Sequence, residues 1–496
     1  MQNQQPLEEL SSIARCFTGN GAIASIEPLG NGNVNDTFLV EHGDGVPQRF
    51  VMQRINTQVF DRPHEVMHNL VQVSQHVERK LSQEPTRPGQ RLWEMPRVIP
   101  LHFSDGHWVE AEGSFWRGIS YIGAAISVDV VESLEQAYEV GYGLGMFHQL
   151  IADLPSDQLR DTLEGFHITP TYLADFRAVC ESAQSQLTTV EEHCHNFIHE
   201  RESWASVLEN AKQAGELRLR PIHGDPKVNN LMMDAESGKA IALVDLDTVK
   251  PGLVHYDIGD CLRSGCNPLG EETREPEAVV FDLDRCEAIL TGYLGTAGTT
   301  LSKTDHRYLF DAIRLIPFEL GLRFFTDHLR GNTYFKADRD GHNLDRALVQ
   351  FALTASIEAQ ESEIRQLLDQ LRRVDLARLV RLQQRREVEG HRRQRDDRHR
   401  RGGGRRPVGL LAGAADGAAV PVARARFHVV RPVLLARQQA RVRDAEDEVL
   451  QSRDDRDKWR GRFKDLTSTN EVRSLRNRVR QLHLVKLRLD DITIHR

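Results

Sequence analysis

Apolar positions change their spacing part-way along this chain. Near the start they come in short runs broken by turn residues. Ile23-Ala24-Ser25-Ile26 leads into Gly30-Asn31-Gly32-Asn33, Phe38-Leu39-Val40 follows, and Phe50-Val51-Met52 comes after His42-Gly43-Asp44-Gly45. Such runs between Gly and Asn clusters predict strands joined by tight turns. Helices are predicted over 7–17 and over 63–80, where Val66, Leu70, Val73 and Val77 recur at helical spacing. Val98-Ile99-Pro100, Trp108-Val109-Glu110 and Trp116 to Ile122 supply further strands, and Gly123-Ala124-Ala125 breaks the pattern. From there the period lengthens. Residues 134–152, 172–211, 306–331 and 343–372 read as helices. They are interrupted between 221 and 247 by a polar loop, a strand, a turn at Glu236-Ser237-Gly238 and a second strand. A β-rich part (1–122) followed by an α-rich part (123–372) predicts an α+β fold of two lobes. A doubly wound sheet would alternate strand and helix throughout.

Charge divides the chain at a third place. Residues 1–375 hold 33 Lys and Arg against 56 Asp and Glu, a net of −23, whereas residues 376–496 hold 31 against 16, a net of +15. Arginines crowd 381–406 around Gly402-Gly403-Gly404, and 408–423 is almost all Ala, Gly, Val and Leu. One reading is a nucleic-acid-binding arm, since arginine clusters neutralise phosphates. Against it, Phe427, Trp459 and Phe463 are isolated and no binding-module signature appears. The other reading, preferred here, is a frameshift or fusion product, because Arg/Ala/Gly/Val bias is what a GC-rich gene gives out of frame. The segment 373–496 is expected to be a basic tail, largely disordered or irregular, with 376–430 largely disordered on either reading, and nucleic acid is a partner only through it.

The six cysteines are scattered with no C-x-x-C pair, which suits reduced thiols and a cytoplasmic location. Cys194, His195 and His199 lie close together but lack a second ligand pair at zinc spacing. No signal peptide and no stretch of membrane-spanning length is read, so no membrane partner is expected.

The chemistry gathers in the interruption. Pro221-Ile222-His223-Gly224-Asp225 is followed by Asn230 five residues after the aspartate, and the second strand delivers Asp245 and Asp247. Phosphoryl transfer needs a carboxylate to take a hydroxyl proton and oxygen ligands for Mg²⁺ on the triphosphate. Protein kinases place these in H-R-D-x-x-x-x-N and, past a hairpin, D-F-G; here the pattern is H-G-D-x-x-x-x-N and D-L-D. In that arrangement the turn Gly30-Asn31-Gly32-Asn33 would offer backbone N–H groups to phosphates, although Asn-Gly is also a common hairpin turn. The third strand should carry a cation for the phosphates. Arg54 is the only cation in its core, while Gln53 stands where the lysine of V-A-I-K would fall, and which of them faces the cleft stays open. Glu65 and Glu78 are candidates to pair with that cation, although a solvent-facing role is the preferred reading for each. The connector at Tyr121-Ile122 would floor an adenine pocket.

These segments resemble the aminoglycoside-phosphotransferase-like kinases of small molecules, with a protein-kinase-like fold. More narrowly, they resemble bacterial N-acetylhexosamine 1-kinases. The narrower likeness spans most of 20–372. It rests on Gly30 to Phe38, Gln53-Arg54-Ile55-Asn56, Val66-Met67-His68-Asn69, Gly165-Phe166-His167, the catalytic segment, Phe325 to Asn332, Tyr334-Phe335-Lys336, His342 to Ala347 and Ser356-Ile357-Glu358. The resemblance implies transfer of the ATP γ-phosphate to the anomeric hydroxyl of N-acetylglucosamine or N-acetylgalactosamine. By motif, Asp225 is the base, and Asn230 and Asp245 hold Mg²⁺; Asp247 either helps the metal or orders the loop. His223 is structural. The acceptor site is expected near Phe166, His167, Arg323 and Asp327, each with a plainer alternative: Phe166 as core, His167 as a loop hydrogen-bonder, Arg323 and Asp327 as an i, i+4 pair. The alternatives for the whole chain are the same fold acting on an aminoglycoside, choline or another sugar, or a non-catalytic binding module.

Overall fold

In the computed structural model the described residues are 7–19, 21–30, 34–43, 48–83, 91–182 and 187–374. They fall within one unit, Met1–Arg401; the second unit, Gly402–Arg496, lies outside the described residues, as does all of the expected tail from 375 on. Asn31, Gly32 and Asn33 lie outside them too.

The β-rich part is built from β1 (Ile23–Pro28), β2 (Asp36–His42), β3 (Gln48–Ile55), β4 (Val98–Ile99), β5 (Trp108–Ala111) and β6 (Ser114–Ser120). They form one antiparallel sheet in the order β1-β2-β3-β6-β4, with β5 also paired to β6. Side chains alternate faces along each strand. Phe50 and Met52 of β3, Val40 of β2 and Trp116 of β6 meet helix α1 (Leu7–Thr18), which lays Leu10, Ile13, Ala14 and Phe17 on that face. Ile55 and Phe115 look the other way, into the larger core.

Helix α2 (Pro63–Gln83) belongs to that larger core. Val66, Met67, Leu70, Val73 and Val77 pack in one cluster with Val140, Leu144 and Phe147 of α3 (Leu134–Ile151). Asn69, 1 % exposed, ties α2 to the α-rich part: its Nδ2 donates to the carbonyls of Arg160 (2.8 Å) and Val249 (2.9 Å). The Glu94 amide donates to the Ile241 carbonyl at 2.7 Å. The two parts therefore share apolar contacts and buried hydrogen bonds.

After β6 the chain crosses over through 121–124 into β7 (Ala125–Ile126), which pairs with the catalytic hairpin. The α-rich part continues with α3, α4 (Thr169–Ser182), α5 (Thr189–His199) and α6 (Val207–Gln213). Strand β8 (Arg220–Ile222) follows, then the hairpin β9 (Leu231–Asp234) and β10 (Ala240–Leu243), and β11 (Lys250–Gly252), which pairs with β8. Then come α7 (Val254–Gly265), α8 (Leu283–Ala297), α9 (Lys303–Arg307), α10 (Leu309–Leu329) and α11 (His342–Ala359), and residues 361–374 are helical. Helices α3 and α8 touch backbone to backbone, since a Cβ on Gly141 would sit 1.8 Å from the Ile289 carbonyl oxygen.

The fold is the expected α+β arrangement, a sheet-rich part before a helical one. Two helices were not anticipated, α7 and α8; α8 keeps a helical apolar spacing through Cys286, Ile289, Leu290, Tyr293, Leu294 and Ala297, whereas in α7 the period is hidden. In α7 the buried positions include His255, Asp257, Asp260 and Arg263, so polar residues occupy core sites. Among the described residues no helix is long and apolar enough to cross a membrane, and all six cysteines are free thiols.

Candidate active site

The loop leaving β8 is gripped from two sides. Asp257 on α7, fully buried, accepts from the backbone amides of His223 (2.7 Å) and Gly224 (2.8 Å) and from His148 Nε2 on α3 (2.8 Å). His148 Nδ1 meets the Tyr293 hydroxyl of α8 at 2.9 Å. Burial disfavours charge on Asp257, yet its hydrogen bonds and the neighbouring His148 and His223 bring its pKa below the usual carboxylate value. On the other side His167 Nε2 donates to the Gly224 carbonyl (2.7 Å) and Nδ1 to Glu319 of α10 (2.9 Å). Burial opposes a charged imidazole, but Glu319 overrides it and raises the His167 pKa, so both ring nitrogens donate. Gly224 itself sits at φ +91°, and a Cβ there would lie 2.5 Å from the Thr248 carbonyl oxygen.

So held, the loop presents Asp225, partly exposed, with Lys227 Nζ 2.9 Å from its carboxylate. Burial works against the Asp225 charge; Lys227, His223 and Arg263 outweigh it and lower its pKa. His223 stays neutral, because burial lowers its pKa. Its Nε2 donates to the Val244 carbonyl (2.9 Å) and its Nδ1 accepts the Asp225 amide (3.3 Å). Asn230 donates through Nδ2 to the Asp225 carbonyl at 2.7 Å, which leaves its Oδ1 without a partner among the described residues.

Asp245 follows β10 in the left-handed region, φ +63°. Its carboxylate opens to the cleft, yet it is packed deeply enough that burial, then the Asp247 charge, pushes its pKa up to about 6. Among the described residues no cluster of three or more His, Cys, Asp or Glu is set to cage a metal ion. Asn230 Oδ1 and Asp245 are hard oxygen donors, and a Mg²⁺ that keeps phosphate and water ligands needs only one or two of these from protein. The residues present fit such an ion.

Asp247 is engaged elsewhere. Its Oδ1 lies 2.5 Å from Arg117 Nη2 of β6 and its Oδ2 accepts from Asn35 Nδ2 at 2.6 Å, with Arg117 and Asp247 each 2 % exposed. Arg117 also donates through Nε (3.0 Å) and Nη2 (2.7 Å) to Gln53 Oε1, and Gln53 Nε2 donates to Thr37 Oγ1 (3.1 Å). Asp247 thus fastens the sheet to the catalytic hairpin, which corrects its placement among the metal ligands. Gln53 is the β3 residue facing the hairpin. Arg54 lies on the opposite face, paired with Asp36 of β2 and over the Trp116 ring at 5.9 Å, so its assignment to the phosphates is corrected as well. Nor does α2 aim a carboxylate at the cleft: Glu65 pairs with Arg62 and Glu78 with Arg97. Gly30 has φ +71° at the turn before β2. Tyr121 and Ile122 lie in the crossover, Ile122 buried, and the Ala124 carbonyl accepts the Ala235 amide at 2.9 Å.

On the helical side, three rings surround one cation. The Arg323 guanidinium carbon lies 5.2 Å from the centre of Phe166, 5.0 Å from Tyr172 and 5.3 Å from Phe335. Among the described residues it has no carboxylate or hydrogen-bond partner. Burial works against its charge, but Tyr172, Tyr334, Glu319 and Asp225 raise its pKa, which places it within electrostatic reach of Asp225. Asp327 does not join it. Asp327 accepts from the amides of Thr333 (3.0 Å), Tyr334 (2.8 Å) and Phe335 (2.9 Å) and from Asn343 Nδ2 (3.0 Å). It shapes the loop that brings Phe335 to Arg323, a correction to its reading as an acceptor ligand. His167 is likewise corrected, both its nitrogens being committed to the catalytic loop brace.

The pattern of the phosphotransferase enzyme family (APH) matches residues 25–287, more than half of the chain. The chain belongs to this family. Being of the APH family, it is a phosphotransferase of the small-molecule kinase type. Among solved structures, an aminoglycoside phosphotransferase from Alicyclobacillus acidocaldarius is similar at 15% identity and TM-score 0.50, covering 73% of this chain and 96% of that one. A choline kinase from Cryptosporidium parvum is similar at 13% identity and TM-score 0.46, covering 75% of this chain and 100% of that one. A microcompartment-associated aminopropanol kinase is similar at 15% identity and TM-score 0.46, covering 73% of this chain and 99% of that one. The first of these supports the two-part APH fold.

Four side chains of this APH site were not singled out in the sequence. Lys227 had a signal, a cation two residues after the aspartate. Arg117 had a fainter one, a charge inside the apolar run Trp116 to Ile122. Phe335 stood in the segment Tyr334-Phe335-Lys336 without a role, and Tyr172 had no signal; helix packing brings 172 to 323, and the loop held by Asp327 brings 335.

Proposed function

We propose that this phosphotransferase moves the γ-phosphate of ATP to the anomeric hydroxyl of an N-acetylhexosamine. The observation that carries the acceptor assignment is Arg323 among Phe166, Tyr172 and Phe335, within electrostatic reach of Asp225. Aromatic faces suit the apolar face of a pyranose, and a guanidinium without a partner suits hydroxyl and acetamido oxygens. A cationic acceptor such as choline or an amino alcohol would meet like charge there.

In the reaction the acceptor oxygen bonds to the γ-phosphorus, the bond from that phosphorus to the β,γ-bridging oxygen breaks, and ADP leaves with that oxygen. The hydroxyl proton passes to Asp225, whose carboxylate is kept ionised for it by Lys227. Asn230 and Asp245 would hold Mg²⁺, which supplies positive charge at the phosphate oxygens. The rigid loop contributes by fixing the direction of attack.

The test is ADP release with Mg·ATP over a panel of sugars, aminoglycosides and amino alcohols. The expected result is turnover on N-acetylated hexosamines, reduced about a thousandfold in Asp225→Asn with ATP still bound, and a raised acceptor KM in Arg323→Met. Turnover confined to amino alcohols or aminoglycosides would discard the sugar assignment, and full activity in Asp225→Asn would discard the base.

A further inference from the structure

APH-type transfer needs a cation at the nucleotide phosphates, and strand β3 gives none to the cleft. Its inward residue at the expected place is Gln53, and its one core cation, Arg54, points to the other face. Directly across the ladder from Gln53 stands Arg117 of β6. Gln53 Oε1 accepts two of its hydrogen bonds, from Nε at 3.0 Å and Nη2 at 2.7 Å, so the amide acts as a cradle that orients the guanidinium. Arg117 is 2 % exposed, and its Nη1 is buried with no hydrogen-bond partner. A buried N–H of a charged group left unpaired is costly, so Nη1 is a donor with capacity for a ligand oxygen.

We propose that Arg117 is the phosphate-binding cation of this enzyme, moved by one strand from β3 to β6, with Gln53 as its orienting residue. The ligand class is the di- or triphosphate of a nucleotide. Asp247, 2.5 Å from Nη2, is the counter-charge that keeps the guanidinium in place when no phosphate is there. Asn35, just before β2, hydrogen-bonds the same carboxylate at 2.6 Å, so Asn35, the cation and the segment that carries Asp245 meet at Asp247. Lys227 is a second cation in the region, but its Nζ is paired with the base Asp225 at 2.9 Å, whereas Arg117 keeps one donor without a hydrogen-bond partner. This inference rests on the proposed reading that the nucleotide lies between the sheet and the hairpin.

Removing Arg117 alone would strand the Asp247 charge, so the variant is Arg117→Met with Asp247→Asn, compared with the same pair plus Gln53→Lys, which returns the cation to β3. Calorimetric affinity for Mg·ATP and Mg·ADP is read alongside the KM for ATP and for the acceptor. The expected result is a loss of about a hundredfold in nucleotide affinity, acceptor KM within about twofold, and recovery of at least about tenfold on adding Gln53→Lys. Unchanged nucleotide affinity in the pair variant, or no recovery with lysine at 53, overturns the proposal. Should the pair variant fail to fold, Arg117→Lys decides, because it keeps a charge opposite Asp247. A KM for ATP raised about tenfold with the acceptor KM unmoved supports the assignment. A lowered melting temperature with an unmoved KM for ATP shows a purely structural clasp and overturns it. Failure of the underlying reading looks different: the wild-type protein itself would bind no Mg·ATP.

Discussion

Asp245 shows how one residue can be set against the stability of its own fold. A carboxylate with a raised pKa binds its proton more tightly in the folded chain than in the unfolded one. Below about pH 4 it is protonated in both states and no penalty arises. Between about pH 4 and 6 the unfolded chain ionises first, and stability is lost as the pH rises, remaining lost above the folded value of about 6. Solvent at the open carboxylate screens this, leaving about 1 kcal/mol. Asp245→Asn is therefore expected to melt about 1 °C higher than wild type at pH 7.5, to match it at pH 4, and to lose Mg²⁺-dependent turnover. Scanning calorimetry at the two pH values checks the sign; a lower melting point at pH 7.5 would contradict it.

At the scale of elements, the catalytic loop owes its shape to α7 and α10 more than to its own sequence. Glu319 on α10 keeps His167 charged, and His167 fixes the carbonyl just before Asp225. Glu319→Gln removes that counter-charge, and burial then favours the neutral imidazole. The expected consequence is a kcat reduced tenfold to a hundredfold, by about the factor that small misplacements bring, with the KM for ATP within about twofold. An unchanged kcat would mean that the loop holds its shape without the brace. The same elements explain what could be read from the sequence. Asp225, Asn230 and Asp245 could be picked out as candidates because they flank one hairpin, at spacings set by the local backbone. Strands β1 to β6, β9 and β10 and helices α1 to α3 were legible because their apolar residues keep an unbroken period, whereas the short β7, β8 and β11 were not read as strands. His167, Asp327 and Arg54 were placed by nearness to a motif, but their roles depend on partners far along the chain: Gly224, the 333–335 amides, and the alternation of β3. Arg117 and Asp247 meet only after folding, and no spacing records that.

For the whole molecule, the apolar core closes with Ile364, Leu367 and Leu368 in the helical residues 361–374. A chain stopped after Val374 is expected to keep wild-type turnover and melting temperature. A chain stopped after Gln360 loses three buried apolar side chains and should be destabilised by several kcal/mol, at about 2–5 kcal/mol for each core side chain of this size. Thermal melts of both versions test this, and a loss of activity in the longer one would show that the basic segment contributes to catalysis. Helix α2 carries a further consequence. It is encoded among the strands of the first 122 residues, yet its Val66, Leu70, Val73 and Val77 complete the core of the helical part, and Asn69 bonds into it. A break in the chain between Ile122 and Gly123 would thus not release two self-sufficient halves. Each fragment alone would expose the surface that the other covers, and activity should return only when both are present and refolded together, as in a split-protein complementation pair.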